Sequence, residues 1–127
     1  GFMKHNGGLL FKTINEHEYQ FKTTISENHL NAAGITHGGF LAAFVDAGAG
    51  TAAHRASSNS PCVTISLEMK FISAVRLGQE LIGKTKIQKK TKSMVFLTCE
   101  LTAENKITAT ASGVWKILRL PGAGSGG

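Results

Sequence analysis

The chain has 127 residues, enough for one domain with one sizeable core. Hydrophobic residues make up 42% and there are only two prolines, a globular rather than disordered composition, and no run approaches the ~18 apolar residues of a membrane span. Fourteen basic residues against eight acidic ones leave a net charge of +6, which favours an anionic partner, either nucleic acid or a phosphate-bearing small molecule.

The first ten residues lack the charged-then-apolar pattern of a secretory signal. Two short strands are predicted over residues 9–14 and 19–25, followed by a polar loop over 26–31. A long helix is predicted from Thr36 or His37 to His54, and 55–60 reads as a loop before Pro61. Val63, Ile65, Leu67, Met69 and Phe71 then alternate with Thr64, Ser66, Glu68 and Lys70. That is the period of a half-buried strand, with Thr64 on its polar face. Further strands are predicted over 80–89, 94–102 and 106–118, with turns at 89–92 and 103–106. Short turns between consecutive strands imply antiparallel pairing, and one helix with such a sheet is an α+β layer arrangement. A single domain is expected over 1–120. Residues 121–127 (Pro-Gly-Ala-Gly-Ser-Gly-Gly) read as a flexible tail or an expression remnant.

Cys62 and Cys99 stand apart in separate strands and read as two buried free thiols, the usage of a reduced, cytoplasmic compartment. His5, His17, His29 and His54 show no metal-ligand spacing with one another or with the cysteines, so no metal is expected. Trp115 reads as packing in the last strand.

The helix carries the chemistry. It is apolar and small-residue-rich nearly all round, which predicts cover on both sides, from a curved sheet or a second subunit. Within it stands one carboxylate, Asp46, which in a buried setting needs either a private partner or a task. Its neighbours three and four positions away, Ala42, Ala43, Ala49 and Gly50, are small enough to admit another backbone. Gly48 and Gly50 cost helix stability, about 1 kcal/mol each relative to alanine, and so point to close packing. At the helix start, His37-Gly38-Gly39 leaves backbone N–H donors sterically open at the positive end of the dipole, a setting for an anion or a developing oxyanion. Asp46 lies eight residues beyond Gly38, roughly 12 Å along the axis. One carbonyl cannot touch both in one chain, which predicts a homodimer with sites shared between two antiparallel helices.

Asn31, Gly34, His37-Gly38-Gly39 and Asp46, followed by an alternating strand, resemble the hotdog-fold acyl-CoA thioesterases, and within them the PaaI-like group. The resemblance spans roughly residues 8–118. It implies a curved antiparallel sheet wrapped around one long central helix, dimers that pair into tetramers, an acyl-CoA substrate and no cofactor. Residue by residue, it implies Asp46 as general base or nucleophile and the Gly38 N–H as oxyanion donor. Asn31 and His37 would lie beside the thioester, and Thr64 would position the attacking water. Gly39 would belong to the substrate-binding turn. Lys89, Lys90 and Lys92 would hold the coenzyme A phosphates from a hairpin in which Thr91 stands where relatives frequently have glycine. Read without the resemblance, the same lysines are a solvated hairpin.

Three other functions fit less of the sequence. A non-catalytic acyl-CoA binder leaves Asp46, Gly38 and Thr64 without a purpose. An enoyl-thioester hydratase wants an Asp/His pair on a different element. Nucleic-acid binding rests on net charge alone, with no aromatic residues interleaved in a basic patch. The acyl group is not legible: Phe40, Phe44, Met69, Phe71 and Met94 suit an aromatic or medium-chain pocket as well as ordinary core.

Overall fold

Strands form where the sequence alternates, and the long helix where it does not. The computed structural model describes residues 1–4 and 8–118; Arg119, Leu120 and the tail predicted over 121–127 lie outside them. Strands β1 (Met3–Lys4), β2 (Leu10–Thr13) and β3 (Glu18–Thr24) precede a 3₁₀ turn (Glu27–His29) and helix α1 (Gly38–Ala56). Strands β4 (Cys62–Phe71), β5 (Glu80–Lys90), β6 (Met94–Ala103) and β7 (Lys106–Ile117) follow. They form one seven-stranded antiparallel sheet, ordered β1-β2-β3-β5-β6-β7-β4. The long β4 therefore leaves its sequence neighbour and ends the sheet beyond β7. The β6–β7 turn closes on Glu104 and Asn105, both at positive φ (50° and 63°), the two-residue geometry that matches strand twist.

Helix α1 packs across β3, β4, β5, β6 and β7, which wrap one side of it, as the hotdog resemblance implies. Leu41, Phe44, Val45, Ala49, Ala52 and Ala53 face that sheet and are buried against Phe21, Leu81, Leu97, Leu101 and Trp115. Lys84 and Lys86 stand on the outer face, exposed, as a solvated strand face requires. No helix among the described residues is long and apolar enough to cross a membrane.

One aromatic ring sets the distance between helix and sheet. A Cβ at Gly48 would come within 2.3 Å of the Phe21 ring, and one at Gly83 within 2.4 Å. Any side chain at either position would overpack the core. Gly48 thus serves close packing, as its sequence suggested, but against the sheet rather than on the side of Asp46.

Three further expectations are corrected. The sheet covers only one side of α1, so Asp46 is exposed rather than buried, together with Ala43 and Ala47. The small-residue stripe divides accordingly: Ala49 and Ala53 turn into the core, while Ala43 stays outside. The strict alternation predicted for β4 is also broken. A bulge between Thr64 and Ser66 lets Thr64 pair with Trp115 and Leu67 with Gly113, so Cys62 and Thr64 share the inner face with Leu67, Met69 and Phe71. Val63 and Ile65, which the period set inside, are instead 43% and 53% exposed. Of the two thiols, only Cys99 is buried; Cys62 is half-buried.

Candidate active site

The helix start is fixed by the loop before it. The Asn31 carboxamide oxygen accepts from the N–H of Ala33 (2.9 Å) and of Ile35 (3.2 Å), and the Asn31 N–H donates to the Ile35 carbonyl (2.8 Å). Gly34 supplies the positive φ (76°) that closes this turn. Thr36, buried, donates both its N–H (2.9 Å) and its hydroxyl (2.8 Å) to the Val75 carbonyl, tying the loop to the segment after β4. The His37 N–H donates to the His29 carbonyl at 2.9 Å. His29 in turn stacks on Phe40, the ring centroids 3.9 Å apart. Asn31 and Gly34 therefore have a structural purpose whatever their chemistry. They deliver His37 as the N-cap residue, with no side-chain capping bond, and Gly38 as the first helical residue.

Gly38 and Gly39 are exposed, so the first N–H groups of a 19-residue helix face an open surface. The Phe71 ring, 57% exposed, lies 3.6 Å from where a Gly38 Cβ would be. In the sequence Phe71 reads as pocket or ordinary core, with nothing to tie it to Gly38.

Further along the helix, the bulge in β4 matters. By turning Thr64 inward it lets the threonine hydroxyl donate to Asp46 Oδ1 at 2.6 Å, in the range of a charge-assisted O–H···O⁻ bond. The pair sits in an open groove of about 490 Å³, walled by Gly50, Thr51, His54, Cys62 and Trp115. Trp115 does pack, as its position suggested, but its indole nitrogen also reaches this groove, 3.4 Å from a Cβ built on Gly50. Burial pushes the Cys62 thiol up, and the Cys99 thiol up to about 12, so neither is a thiolate nucleophile at neutral pH. Among the described residues no cluster of three histidine, cysteine or acidic side chains is arranged to hold a metal. Thr51 and His54 went unrecognised in the sequence. They stand five and eight positions beyond Asp46, outside the three- and four-residue spacing that marks its helix neighbours.

The basic hairpin lies at the same end of the sheet. Lys90 pairs with Val95, Val95 with Trp115, and Trp115 with Thr64, so Lys90 is three strand spacings, roughly 14 Å, from Thr64. Thr91 shapes the turn with its side chain. Its oxygen accepts from the N–H of Ser93 (3.3 Å) and Met94 (3.0 Å), and its own N–H donates to the Met94 carbonyl (2.8 Å). The turn needs no positive φ at this position and hence no glycine. Lys89, Lys90 and Lys92 are exposed on it.

Within this one chain, then, Asp46 and Thr64 are in contact, and Gly38, Gly39, His37 and Asn31 gather at the other end of the helix. The chain is similar to several known proteins. The family model described as Thioesterase superfamily matches residues 33–110. A protein named Putative esterase PA0474 in Pseudomonas aeruginosa is 34% identical over 94 residues, covering 73% of this chain and 70% of that one. Human acyl-coenzyme A thioesterase 13 is 30% identical over 84 residues, 66% of this chain; the chain spans 59% of that relative's length. The structure of the E. coli PaaI protein superposes with a TM-score of 0.80 at 18% identity, covering 88% of this chain and 80% of that one.

Proposed function

Because the chain belongs to the thioesterase superfamily, a family of thioester hydrolases, we propose that it cleaves acyl-CoA to a free acid and coenzyme A, at sites shared between two copies of the chain. The 2.6 Å hydrogen bond from Thr64 to Asp46 in an open groove carries this reading. A carboxylate held by one hydroxyl donor keeps its other lone pairs for a proton or for attack. In the water route, Asp46 takes a proton as the water oxygen bonds to the thioester carbon, with the Thr64 hydroxyl aligning that water. Collapse then breaks the C–S bond, and the proton passes to the leaving sulfur. In the covalent route the same carboxylate attacks first and water releases the acid. The Gly38 N–H, at the positive end of α1, holds the oxygen that becomes negative in either case.

Asp46 and Gly38 of one chain are about 12 Å apart along the helix, so they serve different carbonyls. The sharing rests on β4. Among the described residues it ends the sheet with one edge unpaired, and it carries exposed Val63, Ile65 and Phe71. Pairing two such edges antiparallel, centred between Leu67 and Glu68, brings Thr64 opposite the partner's Phe71. Phe71 is the ring that lies against Gly38 within each chain. The same pairing covers the exposed face of α1 around Asp46, which the sheet leaves bare. Asn31 and His37 then flank the thioester from the partner's side, and Gly39 lines the turn beside it. Lys89, Lys90 and Lys92 meet the coenzyme A phosphates, and two dimers associate into a tetramer.

Thiol release from short, medium, long and aromatic acyl-CoAs tests the reading directly. Removing the hydroxyl with Thr64→Val is expected to lower kcat by roughly 10–100-fold, the worth of a hydrogen bond to a charged group. Thr64→Ser, which keeps it, should retain most turnover. Equal rates in the two variants would remove Thr64 from the mechanism, and no turnover of any acyl-CoA by the folded wild type would remove the hydrolase reading.

A further inference from the structure

The groove at Asp46 does not end there. Thr51 and His54 also wall a second hollow of about 590 Å³, bounded by Thr13, Tyr19, Arg55 and Asn59. The two hollows meet along α1, and Arg55 lies roughly 13.5 Å from Asp46 along the helix axis. No aspartate or glutamate occurs among the described residues of the second hollow, and none of them makes a salt bridge with Arg55.

Arg55 is nevertheless held in place. One of its terminal nitrogens donates to Thr13 Oγ1 at 3.2 Å, and its guanidinium carbon sits 4.7 Å from the centroid of the Phe11 ring. Its charge reaches Tyr19 as well: burial pushes that phenol up, and Arg55 opposes the shift. A cation that merely complements the helix C-terminus needs charge alone. An aromatic platform and a hydroxyl anchor do more, because they pre-organise a planar fork suited to a carboxylate. His54 adds a second polar group. Its Nδ1 lies 2.8 Å from the Ser60 carbonyl oxygen, which can only accept, so Nδ1 carries the proton and Nε2 keeps the second polar position of the ring.

We propose that this continuous groove is the acyl subsite and that Arg55, with His54 and Asn59, receives a carboxylate at the far end of the acyl group. The preferred substrates are then ω-carboxyacyl thioesters, the half-thioesters of dicarboxylic acids. This deepens the acyl-CoA hydrolase reading and rests on it.

The test compares glutaryl-, adipyl- and suberyl-CoA, each against the neutral acyl-CoA of equal length, in wild type, Arg55→Lys and Arg55→Met. Methionine keeps an unbranched stem on Phe11 without the charge. Wild type is expected to favour at least one ω-carboxy member by kcat/KM. That preference should fall about tenfold or more in Arg55→Met, through KM, as one charge-assisted hydrogen bond is lost, and less in Arg55→Lys. A preference that does not move overturns the proposal. So does an equal loss on both members of a pair that vanishes with phosphate-free pantetheine thioesters, because the anion is then a coenzyme A phosphate. Calorimetric titration with free adipate separates the two levels. Binding that needs Arg55 and survives in Asp46→Asn supports the subsite even if no thioester is turned over. Hydrolysis that needs Asp46 while selectivity ignores Arg55 overturns the subsite and leaves the hydrolase reading standing.

Discussion

Asp46→Asn is expected to lower kcat for acyl-CoA hydrolysis by about 10²–10⁴-fold, the contribution of a positioned base, with the fold unchanged. The substitution suits the question because it alters so little else. Within its own chain Asp46 is exposed on α1, so the amide enters no packed core of the protomer. Its carboxamide oxygen can still accept from the Thr64 hydroxyl, as the carboxylate does at 2.6 Å. Charge and basicity go, while shape and the local hydrogen bond remain. Circular dichroism and size-exclusion profiles should therefore match wild type while thiol release collapses. A folded variant with undiminished turnover would move catalysis away from this helix.

Gly38→Pro should be nearly as damaging, with a loss of about 10²–10³-fold in kcat, the usual cost of removing one oxyanion donor. Elsewhere in a helix proline would break the structure, but Gly38 is the first helical residue, where proline is tolerated because its N–H has no intrahelical partner. The preceding His37 has φ −58° and ψ 135°, the extended backbone that a following proline demands. The variant thus deletes the donor and little else. A Gly38→Pro enzyme with wild-type kcat would mean that the thioester oxygen is held elsewhere. The pair of variants also tests the sharing of sites. In a dimer mixed from Asp46→Asn and Gly38→Pro chains, one site combines an intact Asp46 with an intact partner Gly38. Random re-association of equal amounts should recover roughly a quarter of wild-type activity. Two dead variants that stay dead after mixing would put both groups in one chain's site.

Much of this architecture was legible in the sequence because its causes are local. The helix, the β5–β6 and β6–β7 turns and the strand order along the chain follow from periodicity and turn residues. The motif around His37, Gly38 and Asp46 pointed to one long helix, which the structure shows over Gly38–Ala56. What escaped depends on contacts between distant segments. Whether the bare side of α1 is covered within the chain cannot be read from an apolar helix, since sheet and second copy leave the same pattern. Asn31 read as a candidate for the thioester, yet its carboxamide oxygen is occupied in the turn that sets the helix start. Thr91 looked like a departure from a glycine turn, but its hydroxyl supplies by hydrogen bonding what glycine supplies by backbone freedom. The contacts of Thr36 with Val75 and of Phe71 with Gly38 escaped because each partner is far away in the chain.

The bulge in β4 gives this strand an uneven tolerance to genetic change. Ile65 can be exchanged freely as far as the Asp46 groove is concerned, because its side chain projects outward. Deleting that one codon should be tolerated there too. With Ile65 gone, Thr64 and Ser66 become neighbours, and strict two-residue alternation keeps Cys62 and Thr64 on the inner face with Leu67, Met69 and Phe71 and leaves Val63 and Ser66 outside. The bulge is therefore an insertion the groove can lose, whereas replacing Thr64 removes the carboxylate's partner, so in this segment the identity of Thr64 is under tighter constraint than spacing.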